Sequence, residues 1–198
     1  MILYLHGFRS SPQSFKARLL AERMQRLGRA AEYLCPQLPA SPAAAIAVAR
    51  ACIQACDPAG LTLIGSSLGG YYATWLAEQL GCRAVLLNPA VKPPRDLEKY
   101  IGVSTQYHSD EPFEFKREYI EQLQALQIGP ITRPERYFLI AATGDEVLDW
   151  QEMVGHYRQA RQQVIQGSDH GISEFAEYAD AVLAFCGIAC GPAATAGA

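Results

Sequence analysis

The stretch from Leu61 to Leu80 restricts the possible folds more than any other part of this chain. Leu61-Thr62-Leu63-Ile64 is apolar and β-prone, and Gly65-Ser66-Ser67-Leu68-Gly69-Gly70 is a turn of small residues. Beyond it, apolar side chains fall at Leu68, Tyr71, Tyr72, Trp75, Leu76 and Leu80, at offsets 0, 3, 4, 7, 8 and 12. That spacing is helical. The segment therefore reads as buried strand, sharp turn, amphipathic helix.

The rest of the chain repeats the rhythm. Further strands are expected at about Ile2–Leu5, Glu32–Cys35, Ala84–Leu87, Arg136–Ala141 and Gln163–Ile165. Ser11 before Pro12 signals a helix over about Pro12–Leu27, with Phe15, Leu19, Leu20, Met24 and Leu27 as its buried stripe. Ser41-Pro42 opens a second helix to about Cys56, which Asp57-Pro58-Ala59-Gly60 ends. Trp150, Met153, Val154 and Tyr157 mark another helix, and Ile172, Phe175, Ala179, Val182 and Leu183 the last. Alternating strands and helices predict an α/β fold, a three-layer sandwich around a mostly parallel sheet of about six strands.

Two stretches interrupt the pattern. Residues 91–131 hold Pro93-Pro94, many charges and several tyrosines. They read as an insertion over the sheet, partly helical near Arg117–Leu126. Its Tyr107, His108, Phe113, Phe115 and Tyr119 either line a pocket or pack the insertion itself, and packing is the expectation. The tail 191–198 is expected to fray, which leaves residues 1–190 as one domain.

Composition excludes several classes. With 198 residues, 49% hydrophobic and 19% charged, the chain can bury a core. Its net charge is −3 and it has no basic block, so nucleic acid is not an expected partner. No apolar run approaches the roughly 18 residues a membrane span needs. Met1–His6 carries no basic leader and reads as a strand, so a cytoplasmic protein with reduced thiols at its six cysteines is expected. Neither the cysteines nor the four histidines fall at metal-ligand spacings, so no metal and no cofactor are expected.

The chemistry sits in the turns. Gly65-x-Ser67-x-Gly69 between a strand and a helix is the frame in which a serine is held, strained, at the apex of the turn. Centring it on Ser66 would put Ile64 and Leu68 at the glycine positions, so the frame selects Ser67. A serine needs a base. His156 lies in an amphipathic helix, whereas His170 lies in the loop Gly167-Ser168-Asp169-His170-Gly171 after the last strand, where it can reach the serine. The acid is expected after the strand ending near Ala141. Asp145 lies nearest that strand, Asp149 suits a helix cap, and Glu146 should point away from its neighbour. An oxyanion needs two N–H donors, expected at the amides of Leu68 and of Phe8 in His6-Gly7-Phe8. His6 is expected to hold that loop.

Leu5-His6-Gly7-Phe8-Arg9-Ser10-Ser11-Pro12, Gly65-Ser66-Ser67-Leu68-Gly69-Gly70-Tyr71-Tyr72-Ala73, Leu87-Asn88-Pro89-Ala90 and Thr143-Gly144-Asp145-Glu146-Val147-Leu148-Asp149 together resemble the YqiA-like esterases, small bacterial proteins of the α/β-hydrolase fold. The resemblance runs to about Gly187. It implies carboxylic ester hydrolysis, with acyl-CoA thioesters as a second substrate class, and it carries Ser67 and His170 directly. It leaves Asp145 and Asp149 both open as the acid. Arg9 departs from the smaller polar residue expected there. It also implies a trimmed sheet, because the fold usually has two more strands at its start.

The expected function is therefore a serine esterase acting on a small-molecule ester or thioester through Ser67, His170 and Asp145. A thioesterase or acyltransferase would use the same residues. A non-catalytic binding protein on the same fold is the rival from another class.

Overall fold

A computed structural model describes residues 1–105 and 112–189. Tyr107, His108, Cys190 and the tail 191–198 lie outside the described residues. The strands of the main sheet are β1 (Ile2–Leu5), β2 (Tyr33–Leu34), β3 (Thr62–Ser66), β4 (Arg83–Leu87), β7 (Tyr137–Ala142) and β8 (Arg161–Ile165); β5 (Gly102–Thr105) and β6 (Pro112–Phe115) form a separate antiparallel pair. The helices are α1 (Phe15–Arg26), α2 (Pro42–Ile53), α3 (Leu68–Leu80), α4 (Pro93–Leu97), α5 (Glu118–Ala125), α6 (Trp150–His156) and α7 (Phe175–Phe185).

The main sheet has six strands in the order β2-β1-β3-β4-β7-β8, and every pairing is parallel. Strand periodicity divides the core in two. Ile2, Tyr4, Ile64, Val85, Leu87, Phe138 and Ile140 face α1 and α7, against Leu20, Met24, Phe175 and Val182. Leu3, Leu5, Leu63, Ala84, Leu86 and Leu139 face the other way, onto α2, α3 and α6 through Ile46, Ala49, Leu76 and Met153. The central strands are thus apolar on both faces, as parallel strands under two helical layers must be. This is the predicted three-layer sandwich.

The strand order positions the site. From β1 the chain moves outward to β2, then returns to β3 on the opposite side and continues away. The order reverses between β1 and β3, so the loops leaving their carboxyl ends part there and open a crevice. Those loops carry Gly7-Phe8 and Ser67.

Two expectations change. The first helix starts at Phe15, not Pro12, because Ser11–Ser14 closes into its own turn, with Ser14 N–H donating to Ser11 O at 3.1 Å and Gln13 N–H to Ser11 Oγ at 3.1 Å. The buried face is consequently Lys16, Ala17, Leu20 and Met24, while Phe15 (48% exposed) and Leu27 (38%) face out. Between β4 and β7 the chain also builds α4 and the β5–β6 pair as well as the expected helix. Phe113 and Phe115 are packing residues: both rings meet Phe8 edge-on, at 5.0 and 5.1 Å, and Tyr119 stands 5.6 Å from Phe115.

Candidate active site

Ser67 stands between β3 and α3 with φ 53° and ψ −121°. A non-glycine residue holds this left-handed geometry only where its surroundings over-determine it. Here they do. Ser67 N–H donates to Leu87 O at 3.0 Å, and Ser67 O accepts from Gly70 N–H at 2.9 Å and Ala90 N–H at 3.0 Å. The turn is also tightly packed. A Cβ on Gly69 would lie 2.0 Å from Leu5 O, so only glycine lets the first turn of α3 rest on the end of β1.

That contact brings the loop after β1 to the serine. The position of a Cβ on Gly7 lies 3.7 Å from Ser67 Oγ. His6 holds the loop as expected: its Nε2 accepts from Leu38 N–H at 2.9 Å, which leaves Nδ1 to donate to Gly7 O at 3.0 Å. Arg9 takes φ 58°, and its Nε donates to Thr105 O at 2.5 Å, tying the loop to β5. The amides of Phe8 and Leu68 have no acceptor among the described residues, and both residues line the cavity at Ser67.

The expected base and acid meet. His170 Nδ1 lies 2.8 Å from Asp145 Oδ2. The Asp145 side chain is fully buried and the His170 side chain is 21% exposed. The other oxygen of Asp145 accepts from Val147 N–H at 2.9 Å and Leu148 N–H at 2.8 Å, which fixes the carboxylate. Asp149 instead caps α6, accepting from Gln151 N–H at 2.8 Å. His156 packs edge-on against Tyr157 at the end of α6. Burial lowers its pKa.

Three further residues hold the loop that carries His170, and the sequence assigns none of them that role. Asn88, fully buried with φ 42°, donates through Nδ2 to Asp169 O and His170 O, both at 3.1 Å, and its Oδ1 accepts from Ala142 N–H at 2.8 Å. It thus joins the end of β4 to the loops bearing Asp145 and His170. Glu146 does not simply point away: its Oε2 accepts from His170 N–H at 3.0 Å. Lys16 Nζ donates to Gly171 O at 2.5 Å. Burial pulls the Lys16 ammonium down to about 8, against the opposing influence of Asp169 and Asp145. Lys16 did leave a signal, since it lies in phase with Leu20 and Met24 on the buried face of α1.

Ser67 and His170 line one cavity of about 370 Å³. That volume suits a small ligand. Pro93, Leu97 and Tyr100 after β4 line it, as do Val147 and Leu148. Phe113, Phe115 and Tyr119 are not among the residues that line it.

A parallel sheet with a strained serine between strand and helix, a Gly-Phe loop beside it, and histidine and carboxylate on later loops is the architecture of the α/β-hydrolase fold. Solved structures agree at the level of fold. Est1E from Butyrivibrio proteoclasticus, with ferulic acid bound, matches 93% of this chain over 86% of its own, at 14% identity and TM-score 0.70. The esterase domain of a Rhodothermus marinus protein matches 93% over 85%, at 18% identity and TM-score 0.68. Alpha/beta hydrolase domain-containing protein 10 from mouse matches 94% over 86%, at 18% identity and TM-score 0.67. Residues 1–187 match the family described as uncharacterised protein family UPF0227. The chain belongs to that family, the YqiA family.

Proposed function

We propose that this protein is a serine hydrolase that cleaves carboxylic esters through an acyl-enzyme, with Ser67 as nucleophile, His170 as base and Asp145 as its orienting acid. The observation that carries this reading is the 2.8 Å contact between His170 Nδ1 and Asp145 Oδ2, made beside a cavity that His170 shares with the strained Ser67. Asp145 accepts the Nδ1 proton, so Nε2 is left as the acceptor that a serine hydroxyl requires.

In this mechanism Ser67 Oγ attacks the ester carbonyl as its proton passes to His170 Nε2. Asp145 stabilises the imidazolium. The tetrahedral oxyanion is held by the amides of Phe8 and Leu68, and the N-terminus of α3 favours the same charge. Collapse expels the alcohol, which takes the proton back from His170. Water, activated by His170, then releases the acid and restores Ser67.

The test is turnover of a short p-nitrophenyl ester by the protein and by Ser67→Ala, together with fluorophosphonate labelling. Turnover should be lost and labelling should map to Ser67. Equal turnover in the two proteins would overturn the reading.

A further inference from the structure

Beyond the reacting groups, the cavity wall contains a buried cation that the reaction above does not use. Lys16 is 9% exposed and lies on α1, which packs against α7 and the loop carrying His170. An ammonium has three N–H donors. Among the described residues Lys16 has one hydrogen-bond acceptor, the neutral carbonyl of Gly171. A neutral side chain could hold that carbonyl without the cost of burying a charge.

The carboxylates around Lys16 are already committed. Asp145 spends its oxygens on His170, Val147 and Leu148. Asp169 spends its own on Ser173 N–H at 2.9 Å and Ser173 Oγ at 2.7 Å. Glu146 is engaged by His170 N–H. Around Lys16 the wall offers further donors. Tyr4, Ser14 and Ser66 all line the cavity, and the buried Ser14 Oγ has no hydrogen-bond partner among the described residues. Ser14 makes no side-chain cap bond to α1, and the first turn of that helix has no acidic residue. Its positive end is therefore unopposed by any side chain of its own.

Lys16 also lies beside the loop that carries His170. It contacts Gly171, next to the histidine that returns a proton to the leaving oxygen. In the reaction above the leaving alcohol takes its proton from His170, so its remaining part is the part of the ester that a group beside this loop would meet. We propose that the substrate's alcohol portion carries a carboxylate, which Lys16 receives in the buried wall beside His170. This rests on the serine-hydrolase reading above. It makes the substrate a small ester of a hydroxy acid, hydrolysed by water to a carboxylic acid and the free hydroxy acid.

The pH dependence of binding follows. An anion beside Lys16 favours the protonated amine, so binding is strongest below about pH 8 and weakens as Lys16 loses its proton above that value.

The experiment compares 4-acetoxybenzoate with the neutral, similarly sized 4-acetoxybenzamide, each rate normalised to spontaneous hydrolysis. At pH 7 the protein should favour the anion in kcat/KM by roughly tenfold or more, the effect of one hydrogen-bonded charge. The preference should shrink by pH 9, vanish in Lys16→Met and return in Lys16→Arg. If Lys16→Met is inactive on both esters, wild-type inhibition by 4-hydroxybenzoate against 4-hydroxybenzamide decides instead, with the same preference expected. Equal or better turnover of the amide, with Ser67-dependent hydrolysis intact, overturns this proposal and leaves the serine mechanism standing. Absence of Ser67-dependent turnover of either ester overturns both.

Discussion

Asp145 reaches His170 at 2.8 Å while Asp149, four residues on, caps α6. The two carboxylates have separate jobs, so mutating each should give a different result. Asp145→Asn should keep the fold and the two amide contacts but lose the negative acceptor, lowering kcat on the order of 10²–10⁴-fold. Asp149→Ala should leave kcat within about twofold and cost ~1 kcal/mol, a fall of roughly 2–4 °C in Tm. Steady-state kinetics and a thermal melt on both variants check this. The opposite pattern would make Asp149 the acid.

Asn88 is expected to matter for both stability and rate. Removing its side chain strands the buried Ala142 N–H and frees the carbonyls of Asp169 and His170. It also leaves alanine at φ 42°, a conformation asparagine tolerates better. Asn88→Ala should cost about 3 kcal/mol, measured by urea denaturation, and should lower kcat more than it raises KM. A variant with unchanged kcat would show that the His170 loop does not depend on this anchor.

Which parts of this arrangement the sequence reveals follows from the range of the contacts. Ser67 and its flanking glycines are local, since strand, turn and helix occupy one continuous segment, and the motif frame alone separates Ser67 from Ser66. The central strands are equally legible, because burial on both faces makes them continuous apolar runs. Lys16, Asn88 and Glu146 act by bonding to the backbone of the His170 loop, 155, 81–82 and 24 residues away. Such bonds impose no spacing on the sequence. The helix α1 starts later than the sequence predicts because Pro12 is a good first helical residue in isolation, whereas the Ser11–Ser14 turn takes that stretch of backbone. In residues 91–131, Phe113 and Phe115 flank the exposed Glu114, an alternation of period two that is a strand signal among charges.

The close packing beneath Ser67 predicts opposite outcomes for two glycines. Gly69→Ala would drive a Cβ to 2.0 Å from Leu5 O and 2.7 Å from His6 O, both backbone atoms that cannot swing aside. Loss of soluble, folded protein is expected, or a cost above about 4 kcal/mol if it folds. Gly155, inside α6, has nothing within 4 Å of its Cβ position. Gly155→Ala should therefore stabilise by about 0.5–1 kcal/mol. Urea titrations of both variants test the contrast.

The wall of the cavity is tied down by an ion cluster that should respond to acid. Arg95 grips Glu152 with two bonds of 2.8 and 2.9 Å, and Lys92 adds a third at 2.8 Å, joining the α4 region to α6. The bonds from Arg95 and then Lys92 hold the Glu152 carboxyl down to about 2. A carboxylate with a depressed pKa contributes stability that is fully present above its unfolded value, ~4.5. That stability is lost as pH falls toward 2. The cluster is largely exposed to water, so its worth is below about 1 kcal/mol. Glu152→Gln should thus lower Tm slightly at pH 7, and the difference from wild type should shrink between pH 4.5 and 2. Added salt at pH 7 should shrink it in the same direction. A Tm difference independent of both pH and salt would mean that Glu152 acts through packing and not through charge.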